Sequence, residues 1–313
     1  MKESLLDILV CPRCRAPLRI EGPRTDGEGG EILQGTLACG ECSQKYAIRD
    51  GIPVLLVSAD YLAPISGSFG FQWRMRKWKL FETKTLYGRD PETALADFFE
   101  RLRIAAADVR GKRILDAGCG SGILDHELSK TGCEVVGVDL SDPAGAYALN
   151  RGLRNVHIVR ADIFNLPFAD GTFDVVWSEG VLMITPDPKR GFLSLQRVLK
   201  KGGLGYVWIY SKSPQERIRR LLRTYGMPRG LLFVLCYLLV IPYAAWQALR
   251  ILLRYRTTAF AFFDALSPKY QSGHGREEVR NWFVSAGFSD VEMTEDRGPF
   301  WQAVWGVGTK KRG

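Results

Sequence analysis

The chain has 313 residues, of which 46% are apolar and 25% charged, and a formal net charge of +9. That length suits one large domain with a small companion, and that balance belongs to a folded globular protein and excludes disordered and fibrous classes. Seven cysteines, with an N-terminal stretch Met1–Val10 that carries acids and no long apolar run, point to a reducing compartment where thiols stay free or bind metal. The excess charge is local. Between Tyr210 and Arg256 lie nine basic residues (Lys212, Arg217, Arg219, Arg220, Arg223, Arg229, Arg250, Arg254 and Arg256) and one acid, Glu216, a net +8. A chain-wide nucleic-acid footprint is therefore disfavoured, and an anionic partner is expected to meet this segment.

Residues 1–58 read as a small metal domain. Cys11-Pro12-Arg13-Cys14 and Cys39-Gly40-Glu41-Cys42 are two knuckles separated by 24 residues. Four thiolates at such spacing suit one tetrahedral, structural Zn²⁺ with no open position. Gly22–Gly35, rich in glycine and charge, is expected to be a surface loop, and Ile52–Val57 an apolar strand. Cys119, Cys133 and Cys236 are isolated and expected to pack. Residues 59–110 are a connector, aromatic and basic at first and then helical. Asp90-Pro91-Glu92 sets an N-cap acceptor before a proline at the first helical position, and the helix is expected to run to about Ala107.

Residues 111–210 alternate between strand and helix. The strands are Arg113–Ala117, Glu134–Asp139, Val156–Arg160, Phe173–Ser178 and Leu204–Ile209, with helices between them, notably Pro188–Leu199. The fold class this implies is α/β, a Rossmann-like parallel sheet with helices on both faces. Asp116-Ala117-Gly118-Cys119-Gly120-Ser121-Gly122 follows the first strand and opens a helix. Gly118, Gly120 and Gly122 allow a tight turn and close approach of a ligand, and the free N–H groups of the helix start suit a carboxylate. Asp139 ends the next strand 17 residues past Gly122, where a carboxylate accepts from ribose hydroxyls. Asp162 and Ile163 follow the third strand, an acceptor for an adenine amino group beside an apolar side chain for the ring.

Residues 211–272 are a basic and apolar helical insertion, and residues 273–313 return to helix (Arg276–Ala286) and the last two strands (Phe288–Glu295, Gln302–Val307). Within the insertion, Leu231–Leu249 is apolar except for Gln247. A single membrane span is excluded because strands on both sides must join one sheet. Two readings stay open. In one, Pro242 breaks the run into a hairpin that meets an anionic membrane through 211–256. In the other, the helices cap the active site.

The ordered series over roughly 110–210 resembles class I S-adenosylmethionine-dependent methyltransferases of the ubiquinone-biosynthesis-like group. The glycines are spaced G-x-G-x-G after an acid, the form of that group, and not G-x-G-x-x-G as in NAD-dependent dehydrogenases. The resemblance implies a bound methyl donor, S-adenosylmethionine. Asp116, Gly118, Gly120 and Gly122 would hold its methionine end, Asp139 and Leu140 the ribose, and Asp162 and Ile163 the adenine. Ser178 and Glu179, at the end of the fourth strand, would face the sulfonium and acceptor. The Asn/Asp-Pro-Pro-Tyr/Phe signature of amino-group methylation is absent after that strand, and so is a cysteine for cytosine C5 chemistry.

Gly180-Val181-Leu182-Met183-Ile184-Thr185-Pro186 is similar to the Gly-Val-Leu-His-His-Thr-Pro of bacterial methyltransferases linked to glycan and natural-product pathways, with Met183 and Ile184 at the histidine positions. Asp264-Ala265-Leu266-Ser267-Pro268-Lys269-Tyr270-Gln271 and Phe69-Gly70-Phe71-Gln72-Trp73 resemble the same group. His274 is then the candidate base, with Glu179 as a second catalytic candidate, while His126 and His157 read as structural. Leu6–Leu56 resembles the small zinc-ribbon proteins that activate tRNA and protein methyltransferases by stabilising them; here the ribbon is fused to its enzyme. The expected function is methyl transfer to a small, lipid-linked or saccharide-type acceptor, in the cytoplasm, with peripheral contact at a membrane surface. The alternatives are an rRNA or tRNA methyltransferase that recognises RNA through the ribbon, and a non-catalytic cofactor-binding activator of another enzyme.

Overall fold

The computed structural model describes residues 1–27, 30–58, 60–63, 67, 70–72, 75, 78, 89–212, 227–247, 263, 266–297 and 302–311, without the side chains of 23 and 239–247. Four strands open the chain: Leu18–Asp26 (β1), Ile32–Cys39 (β2), Lys45–Arg49 (β3) and Ile52–Leu55 (β4). They pair antiparallel in chain order. Gly22–Gly35 is thus part of a hairpin and not the expected loop. Its apolar anchors are sparse, but Ile32 and Leu37 are fully buried, and register shifts between Glu21 and Asp26 absorb Gly22-Pro23, which interrupts the period-two pattern.

The remaining strands are Arg113–Ala117 (β5), Glu134–Asp139 (β6), Val156–Ala161 (β7), Phe173–Glu179 (β8), Leu199–Tyr210 (β9), Phe288–Arg297 (β10) and Gln302–Lys310 (β11). One sheet contains them all, in the order β1-β2-β3-β4-β7-β6-β5-β8-β9-β11-β10. The five strands β5 to β9 are parallel, and β11 and β10 close the far edge antiparallel. The ribbon joins this sheet directly, because β4 runs parallel to β7 with Val54 opposite Arg160 and Leu55 opposite Ala161. An edge that the core would otherwise expose is thereby paired.

The helices among the described residues are Pro91–Leu102 (α1), Ile123–Ser129 (α2), Ala144–Asn150 (α3), Pro188–Val198 (α4), Arg229–Gln247 (α5) and Arg276–Ser285 (α6). The α1 start follows the expectation: Asp90 Oδ1 accepts from the Thr93 N–H at 2.8 Å. The helix stops at Leu102, short of Ala107, where Arg103 turns left-handed (φ 55) and its N–H returns to the carbonyls of the last turn. α5 runs on through Pro242, so the segment is not a hairpin broken there. Among the described residues no helix is long and apolar enough to cross a membrane. Seven of the basic residues counted above (Arg217, Arg219, Arg220, Arg223, Arg250, Arg254 and Arg256) lie outside the described residues, as do Phe69, Trp73, Asp264 and Ala265.

The main core is the apolar layer around β5 to β9, continuous with the ribbon through Leu5, Leu9, Leu55 and Phe168. A second, small core forms where Phe71 and Met75 of the connector meet Leu232 and Cys236 of α5, with Phe263 and Leu266. There Gln72 Nε2 donates to Ser267 Oγ at 3.3 Å. Two motifs almost two hundred positions apart thus pack together.

Candidate active site and metal centre

The glycine loop leaves β5 at the point where the strand order reverses, between β5 and β8, which is where open parallel sheets bind ligands. The N–H groups of Gly118 and Cys119 both donate to Val138 O, at 2.7 and 3.0 Å, tying the loop to the end of β6. Gly118 has φ +99, and a Cβ there would lie 2.1 Å from Val181 Cγ2, so only glycine fits. Asp139 is already oriented: its Oδ2 accepts from Gly120 N at 3.0 Å, and its Oδ1 from Ser141 N and Oγ at 2.8 and 2.5 Å. A carboxylate has about four acceptor positions, and three are filled here, so capacity remains for one ribose hydroxyl. Leu140, next in line, is half-buried, and its carbonyl accepts from Arg160 Nε at 3.2 Å.

Asp162 is buried at the head of a short 3₁₀ turn, Ile163–Asn165. Phe164 N donates to its Oδ1 at 3.1 Å; Tyr61 OH and Asn165 Nδ2 donate to its Oδ2 at 2.5 and 2.9 Å. Burial, and then the Asp162 carboxylate, push the Tyr61 phenol above its ordinary range. Tyr61 comes from just beyond β4, and nothing in its local sequence signals this contact. Asp116 and Asp125 lie together beneath the loop. Asp116 is raised well above the ordinary carboxylate range by burial and then by Asp125. Asp125, too, escaped the sequence reading.

Ser178 is fully buried, and its hydroxyl donates to Ala117 O at 3.1 Å, fastening β8 to the residue before Gly118. Glu179 sits in a network instead of standing free. Arg101 Nη1 lies 2.9 Å from its Oε1 and Arg89 Nη2 3.1 Å from its Oε2. Arg101 also donates to Tyr206 OH at 2.7 Å, and Arg89 pairs with Asp97 at 2.8 Å. Behind them Trp177 stacks on Tyr206 with centroids 3.8 Å apart, and Phe98 of α1 packs on Trp177.

His274 reaches the carboxyl edge of the sheet by way of β9: its N–H donates to Tyr210 O at 2.8 Å. Its Nδ1 lies 2.8 Å from Glu278 Oε1, and its Nε2 lies 2.8 Å from Ser272 Oγ. Against the opposing effect of burial, the hydrogen bonds from His274 and Lys212 hold Glu278 below the usual carboxylate range. Glu278 is then an acceptor only, so Nδ1 carries a proton and Nε2 is the basic nitrogen in the neutral ring. Ser272 N donates to Met183 O at 2.9 Å. The serine–histidine pair therefore abuts the loop in which Met183 and Ile184 stand at the expected histidine positions.

At the other end of the molecule, the Sγ atoms of Cys11, Cys14, Cys39 and Cys42 all lie within 4.8 Å of one another. Cys11 and Cys42 are 3.6 Å apart, and Cys14 and Cys39 are 3.4 Å apart. A tetrahedral ion at about 2.3 Å from each sulfur sets them about 3.8 Å apart, so the donor set fits one structural zinc ion. Backbone N–H groups of the second knuckle, chiefly that of Cys42, lower the Cys39 thiol to about 7, poising it for ligation.

Comparison with known proteins finds relatives of both parts of the chain. A family model described as a methyltransferase domain matches residues 115–207, and one described as Trm112p-like protein matches residues 2–51. A demethylmenaquinone methyltransferase of Clavibacter sepedonicus is 30% identical over 190 residues, covering 60% of this chain and 70% of the relative. An uncharacterised chloroplast methyltransferase of Arabidopsis thaliana is 27% identical over 250 residues, covering 70% and 68%. The fold matches Synechocystis magnesium protoporphyrin IX methyltransferase with bound S-adenosylhomocysteine (TM-score 0.51, 15% identity, 79% of this chain and 98% of that one). It also matches a Haloferax volcanii complex of the Trm112 activator with a putative methyltransferase (TM-score 0.50, 18% identity, 80% and 98%). The chain belongs to the class I S-adenosylmethionine-dependent methyltransferases and carries a Trm112p-like zinc ribbon in the same polypeptide.

Proposed function

We propose that this methyltransferase acts on a small acceptor carried on a lipid or of saccharide type, at a membrane surface. The observation that carries this reading is the outer face of α5. Leu231, Val234 and Leu238 follow one another at helical spacing and are 58%, 51% and 55% exposed, while Leu232 and Cys236 on the opposite face are buried. A helix apolar on both faces, entered at Arg229 in a strongly basic segment, suits shallow insertion among anionic headgroups. The segment that packs beneath it, from Leu266, continues to Ser272 and His274 at the sheet edge. Relatives are named for demethylmenaquinone and for sterol 24-C methylation.

S-adenosylmethionine supplies an activated methyl group on a sulfonium, so the protein's work is alignment and, for a hydroxyl acceptor, proton removal. Asp116 and the glycines Gly118, Gly120 and Gly122 bind the methionine end. Asp139 and Leu140 hold the ribose, and Asp162 and Ile163 the adenine. Ser178 fixes the loop from behind. His274, turned by Glu278, is the base. Because Ser272 occupies Nε2, the proton reaches His274 through the Ser272 hydroxyl. Glu179, engaged by Arg89 and Arg101, ties α1 to the end of β8.

The test is to incubate the protein with donor labelled in the methyl group and a total membrane extract. Label is expected in the lipid-extractable fraction. Label confined to RNA would favour the RNA methyltransferase reading, for which the Trm112p-like match is the main support, and would overturn the lipid one.

A further inference from the structure

Asp125 projects from the first turn of α2 into the space between β5 and β6. It is fully buried, and neither of its carboxyl oxygens has a hydrogen-bond partner. Its polar neighbours are Asp116, at hydrogen-bond reach, and the Cys119 thiol. Gly137 makes the room for it: a Cβ on that residue would lie 2.4 Å from Asp125 Oδ2 and 3.0 Å from Cys119 Sγ. The other charged groups facing the pair are Asp139 from β6 and Glu179 from β8, the latter neutralised by Arg89 and Arg101. The strongest charges acting on the pair are therefore carboxylates.

Two adjacent carboxylates cannot both stay ionised in a dry site without a donor. We infer that Asp116 and Asp125 share one proton at neutral pH, which leaves the pair with a single negative charge matched to the single ammonium of the methionine end. Asp125 is thus a positioning residue: it acts on the cofactor through Asp116. The inference rests on the assignment of Asp116 to that end of the site. It also accounts for the glycine at 137, which the ligand-binding loop itself does not require.

A proton held on the folded pair and released by the unfolded chain has a defined consequence. Asp125 is pushed up to about 7, chiefly by burial. The native state therefore binds more protons than the unfolded state from about pH 4 upward, and stability falls as pH rises through about 7.

The experiment compares the wild type with Asp125→Asn, which keeps a donor but no proton to lose, and Asp125→Ala, which keeps neither. S-adenosylhomocysteine is the titrant in calorimetry, and thermal melts are recorded from pH 5 to 9. Asp125→Asn is expected to bind within about threefold of the wild type and to lose the downward slope of stability with pH. Asp125→Ala is expected to bind about tenfold or more weakly, because Asp116 loses the partner that shares its proton. The infrared stretch of a protonated carboxyl should be present in the wild type and gone in Asp125→Asn. If the asparagine variant fails to fold, Asp125→Ser, smaller and also a donor, takes its place. A tenfold loss in every donor variant, or no protonated-carboxyl band in the wild type, overturns the inference. Absence of any binding to the wild type overturns the cofactor assignment instead, while the infrared band and the pH slope still decide the state of Asp125.

Discussion

Glu179 receives a guanidinium on each carboxyl oxygen, and a carboxylate so held orients its neighbours. Glu179→Gln removes the charge shared by two largely buried arginines, leaving Arg89 with Asp97 and Arg101 with Asp296. It should lower unfolding free energy by about 2–4 kcal/mol in a urea titration; a change near zero would mean that the network does not hold α1. His274 is the opposite case, a side chain whose neighbours make it chemically useful. With Glu278 fixing the proton on Nδ1, ¹⁵N spectra of labelled protein near pH 8 should show the Nδ1–H tautomer, and Glu278→Gln should mix the two tautomers. The positions of Asp139, Asp162 and the glycines at the strand ends were legible because motif spacing fixes them. Tyr61, Arg89, Arg101, Asp125, Ser272 and Glu278 were not, because each acts through a partner distant in sequence or on another element.

Elements were read well where a cap or a clean period marked them. Asp90 before Pro91 is such a mark, and Asp90→Ala should cost about 1 kcal/mol of stability, measured by denaturant unfolding. The hairpin of β1 and β2 was missed because a bulge at Gly22-Pro23 disrupts its alternation. The course of α5 through Pro242 was missed because a proline argues locally for a break while packing of Leu232 and Cys236 favours continuity. The ribbon's metal is tied to the whole sheet through β4. Removing zinc with a chelator, or Cys14→Ser, should therefore lower the melting temperature of the catalytic domain by about 5 °C or more, read by near-ultraviolet circular dichroism. An unchanged melt would show that the ribbon and core are energetically separate.

At the scale of the whole molecule, α5 presents an exposed apolar stripe beside the segment that leads to His274. Replacing Leu231, Val234 and Leu238 together by serine should reduce partition onto vesicles of anionic lipid by about tenfold or more, with little loss of stability because those side chains face outward. Equal binding by wild type and triple variant would instead leave the arginines alone, or a closed cap, as the reading of this helix.

What the residues determined by themselves was the parallel sheet, the glycine loop after its first strand, the acids at the strand ends and the four-cysteine centre. Each is a local pattern, a period, a cap or a spacing, and local physics acts wherever the chain goes. The tertiary structure alone decided that β4 extends the catalytic sheet, that two arginines claim Glu179, that Ser272 is fastened to Met183, and that Asp125 lies against Asp116. Those outcomes depend on which distant side chains share a buried space. In that space the absence of water converts an ordinary carboxyl, imidazole or strand edge into one whose partner sets its chemistry.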